Sequence, residues 1–304
     1  MSTLFRKGLL TVTDQKLVQK LFTEYQAGRS VATRFVAGES LDDAVAVARR
    51  LNESGAMVSL DHLGEDVHDA ASAKAAKEDY LAILDRIASE GLDANISIKL
   101  TQLAMAFDEE QTREALEELA TKAAEVGTSV TIDMEESAWT GTTIDLYETV
   151  QRSHGNLGIA VQAYLHRTAS DLERLIPLGG HIRLCKGAYA EPADIAYQSK
   201  GEVDESYDRL LETLMAAEAT KPAVATHDER LIERAYVLAG SREGPFEFQM
   251  LYGIREDLQH EIVAKGYALR VYVPYGSQWY PYLTRRLAER PANLWFFARA
   301  LVGR

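Results

Sequence analysis

The chain has 304 residues and carries 33 Lys and Arg against 46 Asp and Glu, a formal net charge of −13. Hydrophobic residues at 46% and charged residues at 26% are globular proportions, which exclude a disordered or fibrous chain. The acidity argues against nonspecific nucleic-acid binding, which needs a basic surface. The lone cysteine, Cys185, excludes an internal disulfide framework and fits a reducing compartment.

The opening MSTLFRKGLLTVTDQ lacks the long apolar core and small-residue cleavage site of a signal peptide. No run reaches the ~20 apolar residues that a membrane-spanning helix needs. A soluble, intracellular protein is expected. The run TDQKLVQKLFTEYQAG places Leu17, Val18, Leu21, Phe22 and Tyr25 on one helical face, with Asp14 as a cap. Residues 40–55 read as a second helix, opening at SLDD and closing at Gly55. Residues 1–56 are therefore expected to form an N-terminal helical arm.

From Met57 onward a short apolar strand alternates with a longer amphipathic helix. The predicted strands are MVSLD (57–61), NISIKL (95–100), SVTID (129–133), GIAVQAY (158–164), HIRLCKG (181–187), AVATH (223–227), FEFQML (246–251) and LRVYVPY (269–275). Helical stretches such as AAKEDYLAILDRIASEG and EEQTREALEELATKAAEVG lie between them. Eight such units predict an α/β fold, a closed parallel (β/α)8 TIM-type barrel over residues 57–304. A doubly wound open sheet is the alternative. RFVA (34–37) is a ninth apolar run, assigned to the arm.

Active sites of such barrels lie at the C-terminal ends of the strands. Those ends supply Asp61, His62, Lys99, Thr101, Asp133, Glu135, Gln162, Tyr164, Arg183, Lys186, Thr226, His227, Gln249 and Tyr275. The set is polar and mixed in charge, which core packing does not explain. No His-x-His or His-Glu-x-x-His occurs, so no metal site is expected, although His62 and His227 could meet at the mouth. Rossmann, P-loop and Gly-x-Ser-x-Gly signatures are also missing from the sequence.

Three features remain. Lys99 or Lys186 could serve as a Schiff-base nucleophile, as in an aldolase, or could simply neutralise a carboxylate or a bound anion. In YPYLTRRLAERP (280–291), Arg285 and Arg286 are adjacent and Glu289 lies within one helical turn of both. Two planar forks suit a carboxylate or phosphate, while the bland reading is a solvated helix face. Placed after the strand that ends at Tyr275, this last helix is expected to lean over the barrel mouth. In RLCKGAY (183–189), Arg183 inside a barrel needs an acceptor, for which a cofactor ring or phosphate would serve. Gly187 and Ala188 leave room for close backbone approach.

In these residues the sequence resembles the proline dehydrogenase family, in its short monofunctional bacterial form. SIKLTQL (97–103), TIDMEES (131–137), VQAYL (161–165), RLCKGAY (183–189), ATH (225–227), FEFQMLYG (246–253), VYVPYG (271–276) and YLTRRLAERP (282–291) occur in the family's order. In the bifunctional relatives an asparagine commonly follows the motif glutamate, whereas Arg290 stands here, a mark of the short branch. The resemblance implies a flavoenzyme that uses FAD to oxidise L-proline to 1-pyrroline-5-carboxylate and passes electrons to a membrane quinone. A separate 1-pyrroline-5-carboxylate dehydrogenase would take the product.

By the same resemblance, Asp133 and Arg183 are catalytic, with Arg183 also beside the flavin. Arg285, Arg286 and Lys99 would hold the substrate carboxylate, with Tyr189, Leu251 and Tyr275 around its ring and Glu289 pairing an arginine at the gate. Met134, Gln162, Lys186, Gly187, Ala188, Tyr189, Thr226 and His227 match flavin-binding positions. A cytoplasmic location is expected, with peripheral contact at the inner face of the membrane as an option. The residue-level alternatives are a Schiff-base aldolase on a barrel and a non-catalytic anion-binding barrel.

Overall fold

A computed structural model describes residues 33–64 and 67–283. The predicted helix before the first strand forms as α1 (Leu41–Glu53). Ser40 caps it, accepting from Asp43 N while the Asp43 side chain accepts from the Ser40 backbone. Eight strands follow: β1 (Met57–His62), β2 (Ala94–Ile98), β3 (Val130–Ile132), β4 (Leu157–Gln162), β5 (His181–Cys185), β6 (Lys221–Ala225), β7 (Glu247–Leu251) and β8 (Leu269–Tyr275). All pair in parallel in sequence order, and β1 pairs with β8, so the sheet closes into a barrel. The closed barrel, rather than an open sheet, is thus the fold.

The connecting helices are α2 (Ala70–Glu90), α3 (Glu109–Glu125), α4 (Ser137–His154), α5 (Thr168–Leu175), α6 (Lys200–Ala216), α7 (Glu229–Ala239) and α8 (Glu256–Ala264). Their buried residues recur every three or four positions, as with Tyr80, Ile83, Leu84 and Ile87 on α2 or Leu116, Leu119, Ala120 and Ala123 on α3. They pack on the outward strand residues, among them Val58, Leu60, Ile96, Ile98, Ile132, Ile159, Ile182, Leu184, Val224, Phe248 and Val271, all buried in one core. Helix α1, read in sequence as part of the arm, lies against β1 and β8.

The alternate strand residues point inward, and most are polar. Ser59, Asp61, Asn95, Ser97, Thr131, Gln162, His181, Arg183, Glu247, Gln249 and Arg270 are all buried. Barrel interiors are more often filled by branched apolar side chains. Here the inner face carries a hydrogen-bonded polar network, and the fold's hydrophobic core lies between the strands and the helices.

RFVA adds no strand. Phe35 and Val36 are buried with Leu63, Trp279, Tyr280, Tyr282 and Leu283 in a small separate cluster. Ala37 N donates to Pro274 O at 2.9 Å, tying this segment to the end of β8. The predicted helix in residues 13–28 and most of the last helix lie outside the described residues. Among the described residues no helix is long and apolar enough to cross a membrane.

Candidate active site

Asp133, the first residue past β3, is the hub of the barrel mouth. Its Oδ1 accepts from Ser97 Oγ at 2.8 Å and from Arg183 Nη1, and its Oδ2 accepts from Tyr272 OH at 2.7 Å. These partners sit on β2, β5 and β8, and only side chains that converge inside the barrel could reach it together. Lys99, just past β2, lies with Nζ 3.1 Å from Asp61 Oδ1 and 3.7 Å from Asp133 Oδ2. Two carboxylates and two cations therefore meet in one buried cluster.

Burial pushes the Asp133 carboxyl up, but Arg183 and then Lys99 outweigh it, helped by Tyr272 and Ser97, and hold it below the usual carboxylate range. Asp61 goes the other way: burial and the nearby Asp133 charge raise it despite Lys99. Asp133 is the more acidic of the two carboxyls. Burial, with the two aspartates close by, also pushes the Tyr272 hydroxyl well up, so it remains a donor.

Arg183 is 4% exposed. Its Nε donates to Gln249 Oε1 at 2.5 Å, its Nη1 to Asp133 and to Ser97 Oγ at 3.1 Å, and its guanidinium lies 5.3 Å from the centre of the Tyr272 ring. The acceptors expected of a ligand are thus supplied largely by the chain itself. Nη2 is the exception, buried without a hydrogen-bond partner among the described residues, and so is Gln162 Oε1 on β4. Orphaned buried polar atoms are costly. The atoms left over at the mouth, Arg183 Nη2 as donor and Gln162 Oε1 and Asp61 Oδ2 as acceptors, suit a planar ring that presents both kinds of group along its edge, as a flavin does.

The remaining candidates spread around the same mouth. Gln162 Nε2 donates to the carbonyls of Met134 and Glu135 at 3.3 and 3.4 Å, so it bridges the ends of β3 and β4. The Glu135 carboxylate accepts from Thr101 N at 3.2 Å. Lys186 Nζ donates to Asp204 Oδ1 at 2.6 Å and to Asp228 Oδ2 at 2.8 Å. Thr226 Oγ1 accepts from Asp228 N at 3.1 Å, and His227 Nε2 from Leu251 N at 3.0 Å. Tyr275 is buried and stacks on His62, with ring centres 5.1 Å apart. Ala188 and Tyr189 are half-buried on the loop after β5.

Gly187 has a tighter reason to be glycine than the one read from sequence. Its φ is +117°, and a Cβ there would stand 2.2 Å from Tyr164 Cδ1. The close approach is to the Tyr164 ring, which locks the loop after β5 against the loop after β4. Arg285, Arg286 and Glu289 lie outside the described residues. Sequence reasoning missed Tyr272 and Ser97. Ser97 sits at an inward strand position two residues from Lys99, so inward alternation from a recognised mouth residue was the signal that could have found it, whereas Tyr272 lies three residues from Tyr275 and carried no such signal.

A (β/α)8 barrel whose mouth gathers ionised groups and unsatisfied polar atoms has the architecture of an enzyme. The sequence model described as proline dehydrogenase matches residues 44–299. A proline dehydrogenase of Deinococcus radiodurans is 38% identical over 308 residues, covering 98% of each chain. Proline dehydrogenase 1 of Bacillus subtilis strain 168 is 36% identical over 98% of this chain and 99% of its own. The chain belongs to the proline dehydrogenase family. In fold it is similar to proline utilization A of Bdellovibrio bacteriovorus inactivated by N-propargylglycine (TM-score 0.81, 24% identity), covering 94% of this chain and 36% of that one. A proline utilization A structure with proline bound in remote sites gives a TM-score of 0.72 at 27% identity, over 88% of this chain and 31% of that one.

Proposed function

We propose that the chain oxidises L-proline to 1-pyrroline-5-carboxylate, with FAD as first electron acceptor and a quinone as the next. The observation that carries this reading is the Asp133–Arg183–Lys99 cluster with Arg183 Nη2 and Gln162 Oε1 left unsatisfied beside it. Family membership supplies the substrate class.

Gln162, Arg183, Lys186, Thr226 and His227, with the backbone at Met134 and at 187–189, would hold the flavin. Bound flavin supplies the two-electron acceptor, which no side chain of the chain can provide. Proline is a small zwitterion with an apolar ring. Lys99 would meet its carboxylate together with Arg285 and Arg286, and Glu289 would pair with an arginine at the gate. Tyr189, Leu251 and Tyr275 would close around the ring, exclude water and fix the carbon next to nitrogen for hydride loss. That carbon gives up a hydride and the ring nitrogen of the zwitterion a proton, leaving the cyclic iminium, which loses its remaining N–H proton to water to give the imine. Arg183, held by Asp133, would place positive charge where the acceptor gains electrons.

The Schiff-base alternative is disfavoured by the lysine environments. Lys99 lies against Asp61 and Asp133, and Lys186 against Asp204 and Asp228. Activation of a lysine amine calls for the opposite setting, an apolar pocket or neighbouring cations. The quinone would be met at a membrane by peripheral contact from the cytoplasm, and a separate dehydrogenase would consume the product.

The test is turnover. FAD-loaded protein with L-proline and a soluble quinone analogue should reduce the quinone and form one cyclic imine per quinone consumed. Quinone left oxidised while the flavin is reduced by proline would remove the acceptor assignment alone. No imine under any acceptor would remove the reaction.

A further inference from the structure

Below Arg183 the barrel is floored by charge. Glu247 on β7 is fully buried, and its carboxylate takes Arg270 Nε at 2.8 Å and Lys221 Nζ at 2.8 Å. Burial raises this carboxyl, but Arg270 foremost outweighs it, so Glu247 is a fixed anion. Next to it His181 is buried on β5, and burial pulls its imidazole down to about 3, so the ring is neutral. The Gln249 side chain links this floor to Arg183.

The orientation of the Gln249 amide is forced. Its Nε2 lies 2.7 Å from Glu247 Oε1 and 3.1 Å from His181 Nε2, while its Oε1 lies 2.5 Å from Arg183 Nε. Turned over, the amide would set oxygen against a carboxylate and NH2 against a guanidinium, so only one direction satisfies both ends. His181 Nε2 must then accept, which a neutral imidazole can do. Both amide hydrogens and the amide oxygen are used.

We propose that Gln249 is a positioning residue for Arg183: pinned from below by Glu247 and His181, its amide fixes the guanidinium on Nε, so that Nη2 is the nitrogen kept for the ligand. Asp133 and Ser97 hold Nη1 alone, and a guanidinium anchored at one end can pivot about that end. Anchored at both, it presents one donor in one direction. This rests on the reading of Arg183 as the flavin's neighbour, and under it Gln249 tunes the ease of flavin reduction without touching flavin or substrate.

The test is a double-mutant cycle read as reduction potential. Gln249→Met keeps the length and removes the amide; Gln249→Asn, which keeps the amide one methylene short, replaces it if the Met variant does not fold. FAD content and the KM for proline should stay within twofold of the starting protein. The equilibrium constant for two-electron reduction of the bound flavin should fall at least tenfold, about 30 mV. In an Arg183→Met background the same substitution should change that constant less than twofold, because the residue through which Gln249 acts is gone. An unchanged potential, or the same drop in both backgrounds, would overturn the proposal, the second pattern being that of a merely structural residue. A starting protein that takes up no flavin would remove the flavin reading itself, and this proposal with it.

Discussion

Arg183 has five N–H groups in a barrel interior, where an unpaired guanidinium is costly. That it needed acceptors was legible from its place in a strand. Which acceptors was not, because Asp133, Gln249 and Ser97 stand 50, 66 and 86 residues away and meet it only once the barrel closes. The reverse holds at Gly187, where the small residue was legible and its reason was not. Its φ of +117° and the Tyr164 ring 2.2 Å from any added Cβ make the position intolerant for two independent reasons. Gly187→Ala should destabilise the protein by about 2–4 kcal/mol, from strained backbone and overpacking together. Urea unfolding of the two proteins checks this, and an unchanged midpoint would show that the loop after β5 moves aside freely.

The eight strands were legible because each carries an apolar outward face for a helix to cover, and the helices between them because their buried residues recur at helical spacing. The ends of the strands were read too long. The apolar runs suggested strands reaching Leu100, Tyr164, Gly187 and His227, whereas the ladders stop at Ile98, Gln162, Cys185 and Ala225. The overrun is informative. Lys99, Lys186, Thr226 and His227 are the residues where the chain leaves the ladder, freed from the pleat's strict alternation to turn toward the mouth. Asp133 does so after β3, its N–H still bonded to Ile98 O at 2.8 Å. The polar lining was written in the alternate positions of the same strands, such as Ser97 before Lys99 and Tyr272 before Pro274.

At the scale of the whole molecule, a barrel floored with ionised and neutral-imidazole groups is sensitive to acid. His181 is held near 3 in the folded chain against an ordinary 6.5. As pH falls through 6.5 the unfolded chain takes up a proton there and the folded chain does not, so stability is full above that value and is lost below it. Glu247, held below its ordinary range, adds a second loss once pH falls through the usual glutamate value. Stability should therefore begin to fall near pH 6.5, before the carboxylates titrate, its slope growing toward about 1.4 kcal/mol per pH unit as pH drops further. Urea unfolding at pH 7.5 and 5.5 should differ by about 1.4 kcal/mol, and His181→Asn should remove most of that difference. A flat profile over this range would show that His181 is not buried as a neutral ring. Against the formal charge of −13 of the whole chain, the mouth sets Asp61 and Asp133 beside Lys99 and Arg183.

If the Asp133–Arg183–Lys99 cluster lies beside a flavin that takes electrons from proline, the colour of that flavin reports the reaction. The most direct measurement is a visible absorption spectrum of the FAD-loaded protein under anaerobic conditions, before and after addition of L-proline. A flavin band that bleaches on addition is the predicted result. A bound flavin whose band ignores proline, or a protein that stays colourless in the presence of FAD, would contradict the claim.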